Sequence, residues 1–184
     1  MTPTSSKPEP PQQAVDRDPH WTATRERLAA RKRPVLTMTI CDDNEVKQRL
    51  GAAQYNERRA RTAADVNPDD KDLKKALKDA EAETKAAQQA FDEAAIVLRF
   101  QALRRPDFEE LKKAHPATEE QAEDGLQFNA ETLGPELIAA SSLDGITVDE
   151  AREYLTEWGE GEAALLFDTA WNVQGETRAD LGKG

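Results

Sequence analysis

The chain has 184 residues, 38% of them apolar, 5% aromatic and 33% charged, with a formal net charge of -11. That apolar share is thin for the length and points to extended helices, a disordered segment or both, rather than one compact globule. Residues 1–103 carry 18 Lys/Arg against 17 Asp/Glu, and residues 104–184 carry 7 against 19. The acidic second half argues against nucleic acid as its partner, because phosphate contacts need Lys and Arg. A single cysteine, Cys41, excludes an internal disulfide framework and a cysteine zinc site. There is neither an apolar run of about 18 residues nor an apolar signal core, so no membrane partner is expected and the protein should act where it is made.

In chain order, residues 1–20 hold Pro3, Pro8, Pro10, Pro11 and Pro19 among small and polar residues, and read as a disordered tail. The segment from Trp21 to Arg33 reads as a short basic helix, suited to an acidic surface such as the second half of the chain. Together these make a first region, 1–33. From 34 to 104 the pattern predicts a β-α-α-β unit. Leu36, Met38 and Ile40 alternate with Val35, Thr37, Thr39 and Cys41 in one strand, and Cys41 reads as a small core residue. Ile96, Leu98, Phe100 and Ala102 alternate with Val97, Arg99, Gln101 and Leu103 in its partner.

Between the strands, Asp42-Asp43-Asn44 offers an N-cap for a charged helix running to about Ala64, and Asn67-Pro68-Asp69-Asp70 breaks it. Leu73, Leu77, Ala80, Thr84, Ala87, Phe91 and Ala94 then recur at spacings of four and three, a coiled-coil seam. Two helices joined by so short a turn pack antiparallel. Alanines in the seam bury little, so the hairpin needs the strand pair at its base, at roughly 25 cal/mol per Å² of apolar burial. The edges of a two-stranded sheet invite another copy or a partner strand; alternatively the C-terminal helices cover the sheet.

Residues 105–174 predict a small acidic helical domain. Pro106 suits a first helical turn, with Phe108 and Leu111 on one face, and His115-Pro116 stops that helix. Thr118 with Gln121, and Thr147 with Glu150, read as capping boxes, and Asn129 as a cap for a helix from Ala130 or Pro135 to Ser142. Asp144-Gly145 makes a turn, and Gly159 and Gly161 precede a last helix from Glu162 to Val173. Leu137, Tyr154, Leu155, Trp158, Phe167 and Trp171 are the candidate protein-binding residues, with an ordinary core as the competing reading. From Gln174 onward the chain reads as a polar, frayed tail, with residues 175–184 flexible.

Candidate chemistry is sparse. His20 falls in the tail, and His115 at a helix end, where a contact with the helix dipole is the common reason for a histidine. Ser141-Ser142 lacks a nearby histidine and a glycine-framed elbow, and Asp144 to Glu150 lacks the ligand pattern of a calcium loop. No catalytic residue, metal site or cofactor is expected. The chain reads as a protein that acts through its surfaces.

The order of elements together with Phe100, Leu103, Pro106, Leu111, His115-Pro116 with Thr118, Phe128-Asn129, Glu131-Thr132, Leu137-Ile138-Ala139, Thr147 to Glu150 and Trp171-Asn172 resembles the tail assembly chaperones of long-tailed, siphovirus-like phages of actinobacteria. The resemblance covers about residues 34–173 and departs at His115-Pro116-Ala117, where the family pattern carries a second proline. It implies a protein of the host cell cytoplasm, not part of the mature virion. Its partners would be the tape measure protein, which it keeps soluble, the tail-tube protein and further copies of itself. It also implies a longer frameshifted product, with which Leu181-Gly182-Lys183-Gly184 is compatible. Two other classes stay open: a structural virion protein, and an acidic inhibitor that mimics DNA.

Overall fold

The computed structural model describes residues 19–177. The expectations for the Pro-rich stretch 1–18 and for 178–184 lie outside the described residues. The elements are α1 (Pro19–Ala29), β1 (Val35–Ile40), α2 (Asn44–Val66), α3 (Lys71–Ala94), β2 (Ile96–Gln101), α4 (Arg105–Ala114), α5 (Glu119–Glu123), α6 (Ala130–Ser141), α7 (Val148–Glu157) and α8 (Glu160–Gly175). The fold is mainly α with one two-stranded antiparallel sheet. Helix α1 starts at Pro19, inside the stretch expected to be disordered, and ends before the basic triplet Arg31-Lys32-Arg33.

The hairpin forms because both of its helices are capped where they begin. The Asp43 carboxylate accepts from the Glu45 and Val46 N–H groups, and that of Asp70 from Asp72 and Leu73. At 23 and 24 residues, α2 and α3 are each about 35 Å long. Ala53 and Ala87 are buried in the seam, and Leu73, Leu77, Ala80, Thr84 and Phe91 are half-buried along it. Ala94, expected in the seam, is exposed at the helix end. Arg49 pairs with Glu83 at 2.9 Å, and Arg61 with Glu81 at 3.0 Å, across the two helices. None of the residues of α2 or α3 joins the main hydrophobic core.

That core forms on one face of the sheet. The register pairs Leu36 with Phe100, Met38 with Leu98 and Ile40 with Ile96, so the even-numbered residues of both strands share a face. Helix α8 packs on that face, and α6 and α7 complete the core through Leu133, Leu137, Ile138, Ala151, Leu166, Ala170 and Val173. The sheet is thus covered by the C-terminal helices, and the division after residue 104 marks a change of element type across which the core is continuous. Burying a side chain such as Phe100 fully stabilises by about 1.5–3 kcal/mol.

Local signals place the C-terminal helices. Both capping boxes form, at Thr118 with Gln121 and at Thr147 with Glu150, and Asn129 caps α6 through Glu131 and Thr132 N–H. Thr147 donates to Glu150 from its N–H and its hydroxyl, which holds the Glu150 carboxyl below its ordinary range. Gly145 adopts φ +84°, the left-handed conformation that its turn requires.

Two readings are corrected here. Cys41 is half-buried rather than a core residue, with its thiol 3.8 Å from the Asp43 carbonyl. Gln174 is no frayed tail: α8 runs to Gly175, and the Gln174 side chain accepts from Leu103 N–H at 2.8 Å while donating to the Ala170 carbonyl. His115 stands at the C-cap of α4, as expected, and its side chain also reaches a neighbouring helix. Its Nε2 lies 3.3 Å from Glu136 Oε2 of α6, close but without hydrogen-bond geometry.

Candidate functional site

The helical segment carries an open groove of about 670 Å³. Pro135 of α6, Leu155 of α7, Trp158 at the α7 C-cap, and Ala163, Ala164 and Phe167 of α8 supply its apolar lining. Glu131, Arg152 and Glu160 supply its polar rim. Each element arrives there for a local reason. Thr147 and Glu150 fix the start of α7, so Leu155 and Trp158 fall one turn apart near its end. Gly159 then serves as the N-cap of α8 and turns Ala163 and Phe167 toward the same space.

Behind the groove wall, Gly134 packs closely on two lining residues: a Cβ there would stand 3.3 Å from Leu155 Cδ1 and 3.4 Å from Phe167 Cδ2, so a side chain would need these two to give by a few tenths of an ångström. Pro135 follows inside α6 and has no N–H to give to the Glu131 carbonyl one turn back. Glu131 is exposed and lines the rim.

The six predicted binding residues separate into groups. Leu155, Trp158 and Phe167 line the groove, and Tyr154 backs it by stacking on Trp158 at 4.7 Å between ring centroids. Leu137 is fully buried, so it belongs to the core and cannot present a surface to a partner. Trp171 lies away from the groove, at the centre of an aromatic cluster. Its ring meets Phe128 at 4.8 Å, Phe108 at 5.5 Å and Phe167 at 6.1 Å, joining α4 and the 124–129 turn to α8. Pro135, Ala163 and Ala164 were missed as groove residues, because small side chains contribute shape that only the packing of α6, α7 and α8 reveals.

The surroundings of the groove are acidic. Helix α7 carries Asp149, Glu150, Glu153 and Glu157 against Arg152 alone, and α8 opens with Glu160 and Glu162. Arg152 is itself paired with Asp149 at 2.7 Å. The arrangement suits an apolar stripe flanked by basic residues. Among the described residues no group of three His, Cys, Asp or Glu side chains stands together as a metal site, and no helix is long and apolar enough to cross a membrane. No family model, curated protein or solved structure matches the chain.

Proposed function

We propose that this protein is a phage tail assembly chaperone that binds the tape measure protein, keeps it soluble and promotes assembly of the tail tube around it. The observation that supports this reading most is the apolar groove of about 670 Å³ between α6, α7 and α8, with Glu131, Glu160 and Arg152 at its rim. A tape measure protein is a long helical chain with exposed apolar stripes, and helix-in-groove docking recognises such a stripe through side chains at i, i+3, i+4 and i+7. The acidic exterior keeps a complex of that kind in solution. On this reading the protein works in the host cytoplasm and is left out of the mature particle.

The test is co-expression with the tape measure protein of the same genome, followed by pull-down and an assay of client solubility. The client should become soluble and co-purify. Trp158→Asp, which charges the groove wall, and Ala164→Trp, which fills it from an exposed position, should each release the client while the protein stays folded by circular dichroism. A client that stays insoluble and unbound beside a well-folded wild-type chain overturns the proposal.

A further inference from the structure

The chain treats the two edges of its sheet differently. Ala102 N–H donates to the Pro34 carbonyl at 3.0 Å, which makes that pair a hydrogen-bonded one. By the alternation of an antiparallel ladder, Leu36, Met38 and Ile40 also turn their backbone groups toward β2. Val35, Thr37 and Thr39 therefore turn theirs outward, as do Val97, Arg99 and Gln101 on the far side of β2. The β2 edge is closed at its middle. Arg99 N–H donates to Asp144 Oδ2 at 2.6 Å, and the Arg99 carbonyl accepts from Leu143 N–H at 2.8 Å. On the β1 edge, the outward groups of Val35, Thr37 and Thr39 meet no partner among the described residues.

Exposed edges are ordinarily protected by a charge, a proline or a bulge within the strand. Val35–Ile40 reads VLTMTI and has none of these. Its charges stand just outside the strand and are of opposite sign at the two ends: Arg31 and Lys32 before it, Asp42 and Asp43 after it, all exposed. None of the four forms an ion pair with another described residue.

We propose that the β1 edge is an interface for a second copy of this chain, the two β1 strands pairing antiparallel about a two-fold axis at Thr37. In that register Thr37 faces Thr37 and Val35 faces Thr39, so every outward N–H and C=O of the strand is satisfied. Lys32 of each copy meets Asp42 of the other, and Arg31 meets Asp43. A parallel alignment would instead bring like charges together. Because the paired residues have the same parity, Leu36, Met38 and Ile40 of both copies stay on one side of a continuous four-stranded sheet. A two-stranded sheet alone is marginal, and this pairing doubles it without disturbing the helices that cover it.

The experiment is sedimentation of the full chain over a range of concentrations, with two charge variants. Lys32→Asp and Asp42→Lys should each weaken the dimer by about tenfold, and an equimolar mixture should restore it, since the mixed dimer regains opposite charges at both ends. A register test follows in a Cys41→Ser background. Thr37→Cys should oxidise to a covalent dimer, because paired Cα atoms lie about 5.5 Å apart, within disulfide reach. Thr39→Cys, equally exposed, should cross-link poorly, because its copies stand about 13 Å apart along the strands. A monomer at all concentrations overturns the proposal. So does a dimer that ignores both charge variants, or one in which the two cysteines cross-link equally.

Discussion

The helical hairpin and the helix-covered sheet hold together by different means. Helices α2 and α3 meet over alanines, with Ala53 and Ala87 buried between them, and are clipped by ion pairs of exposed side chains at Arg49 and Arg61. The sheet and the helices on it meet over Phe100, Leu133, Leu137, Ile138, Leu166 and Val173, all at 0% exposure. Length and stability are therefore divided within the chain: the hairpin supplies reach at little apolar cost, and the sheet domain supplies the stability that holds its base. The groove lies on the stable part. The groove walls made by Pro135, Leu155, Trp158 and Phe167 are thus pre-formed by packing, while the hairpin is free of the core.

The largest expected effect comes from cutting the stable part. Phe100→Ala empties a site under α6 and α8, and should cost about 3–5 kcal/mol in urea unfolding. Because β2 anchors α3, the hairpin should lose its amide protection together with the sheet. A hairpin still protected in the unfolded-core variant would show that α2 and α3 stand on their own, and the comparison would fail. The reverse lesion is smaller and should stay local. Ala87→Leu overpacks the seam at a fully buried position and should cost the hairpin about 1–3 kcal/mol. Hydrogen exchange should quicken in α2 and α3 while amides of α6 to α8 keep their wild-type rates.

The hairpin was the more legible half of the chain, because its signals are local. Leucine and alanine spacings fix its seam, and Asn67-Pro68-Asp69-Asp70 marks its turn. The caps at Thr118, Asn129 and Thr147 were legible for the same reason, since donor and acceptor are two or three residues apart. Strand parity gave the apolar face of the sheet, but what covers it was open, because α8 follows β2 only after four intervening helices. Gln174 was misread for a related reason: its partner, Leu103, lies 71 residues earlier. Leu137 could not be told from a groove residue, since the face that α6 turns to the core is set by its packing on α7 and α8, including Gly134 against Leu155 and Phe167. Those contacts are tertiary, and no window of sequence contains them.

The smallest effect separates the two regions by their electrostatics. In the sheet domain, Asp144 accepts from the Arg99 side chain at 2.6 and 3.0 Å and from its backbone N–H at 2.6 Å, which holds the Asp144 carboxyl below its ordinary range. A carboxyl depressed in the folded state adds stability above its unfolded pKa of about 3.9, and that stability is lost as pH falls through the lower folded value. Asp144→Asn lacks the contribution at every pH. Its Tm should therefore fall furthest below wild type near neutrality and converge on it as pH drops below about 4. In the hairpin, Arg61 likewise holds Glu57 below its ordinary range, in a pair about as exposed as Arg99 and Asp144 but held by side chains alone and so open to screening. Arg61→Ala should lower Tm less than Asp144→Asn does, and high salt should erase its effect while leaving most of the Asp144 difference. The reason is geometric. Asp144 also satisfies a backbone N–H at the edge of β2, and salt does not replace a hydrogen bond that closes a strand.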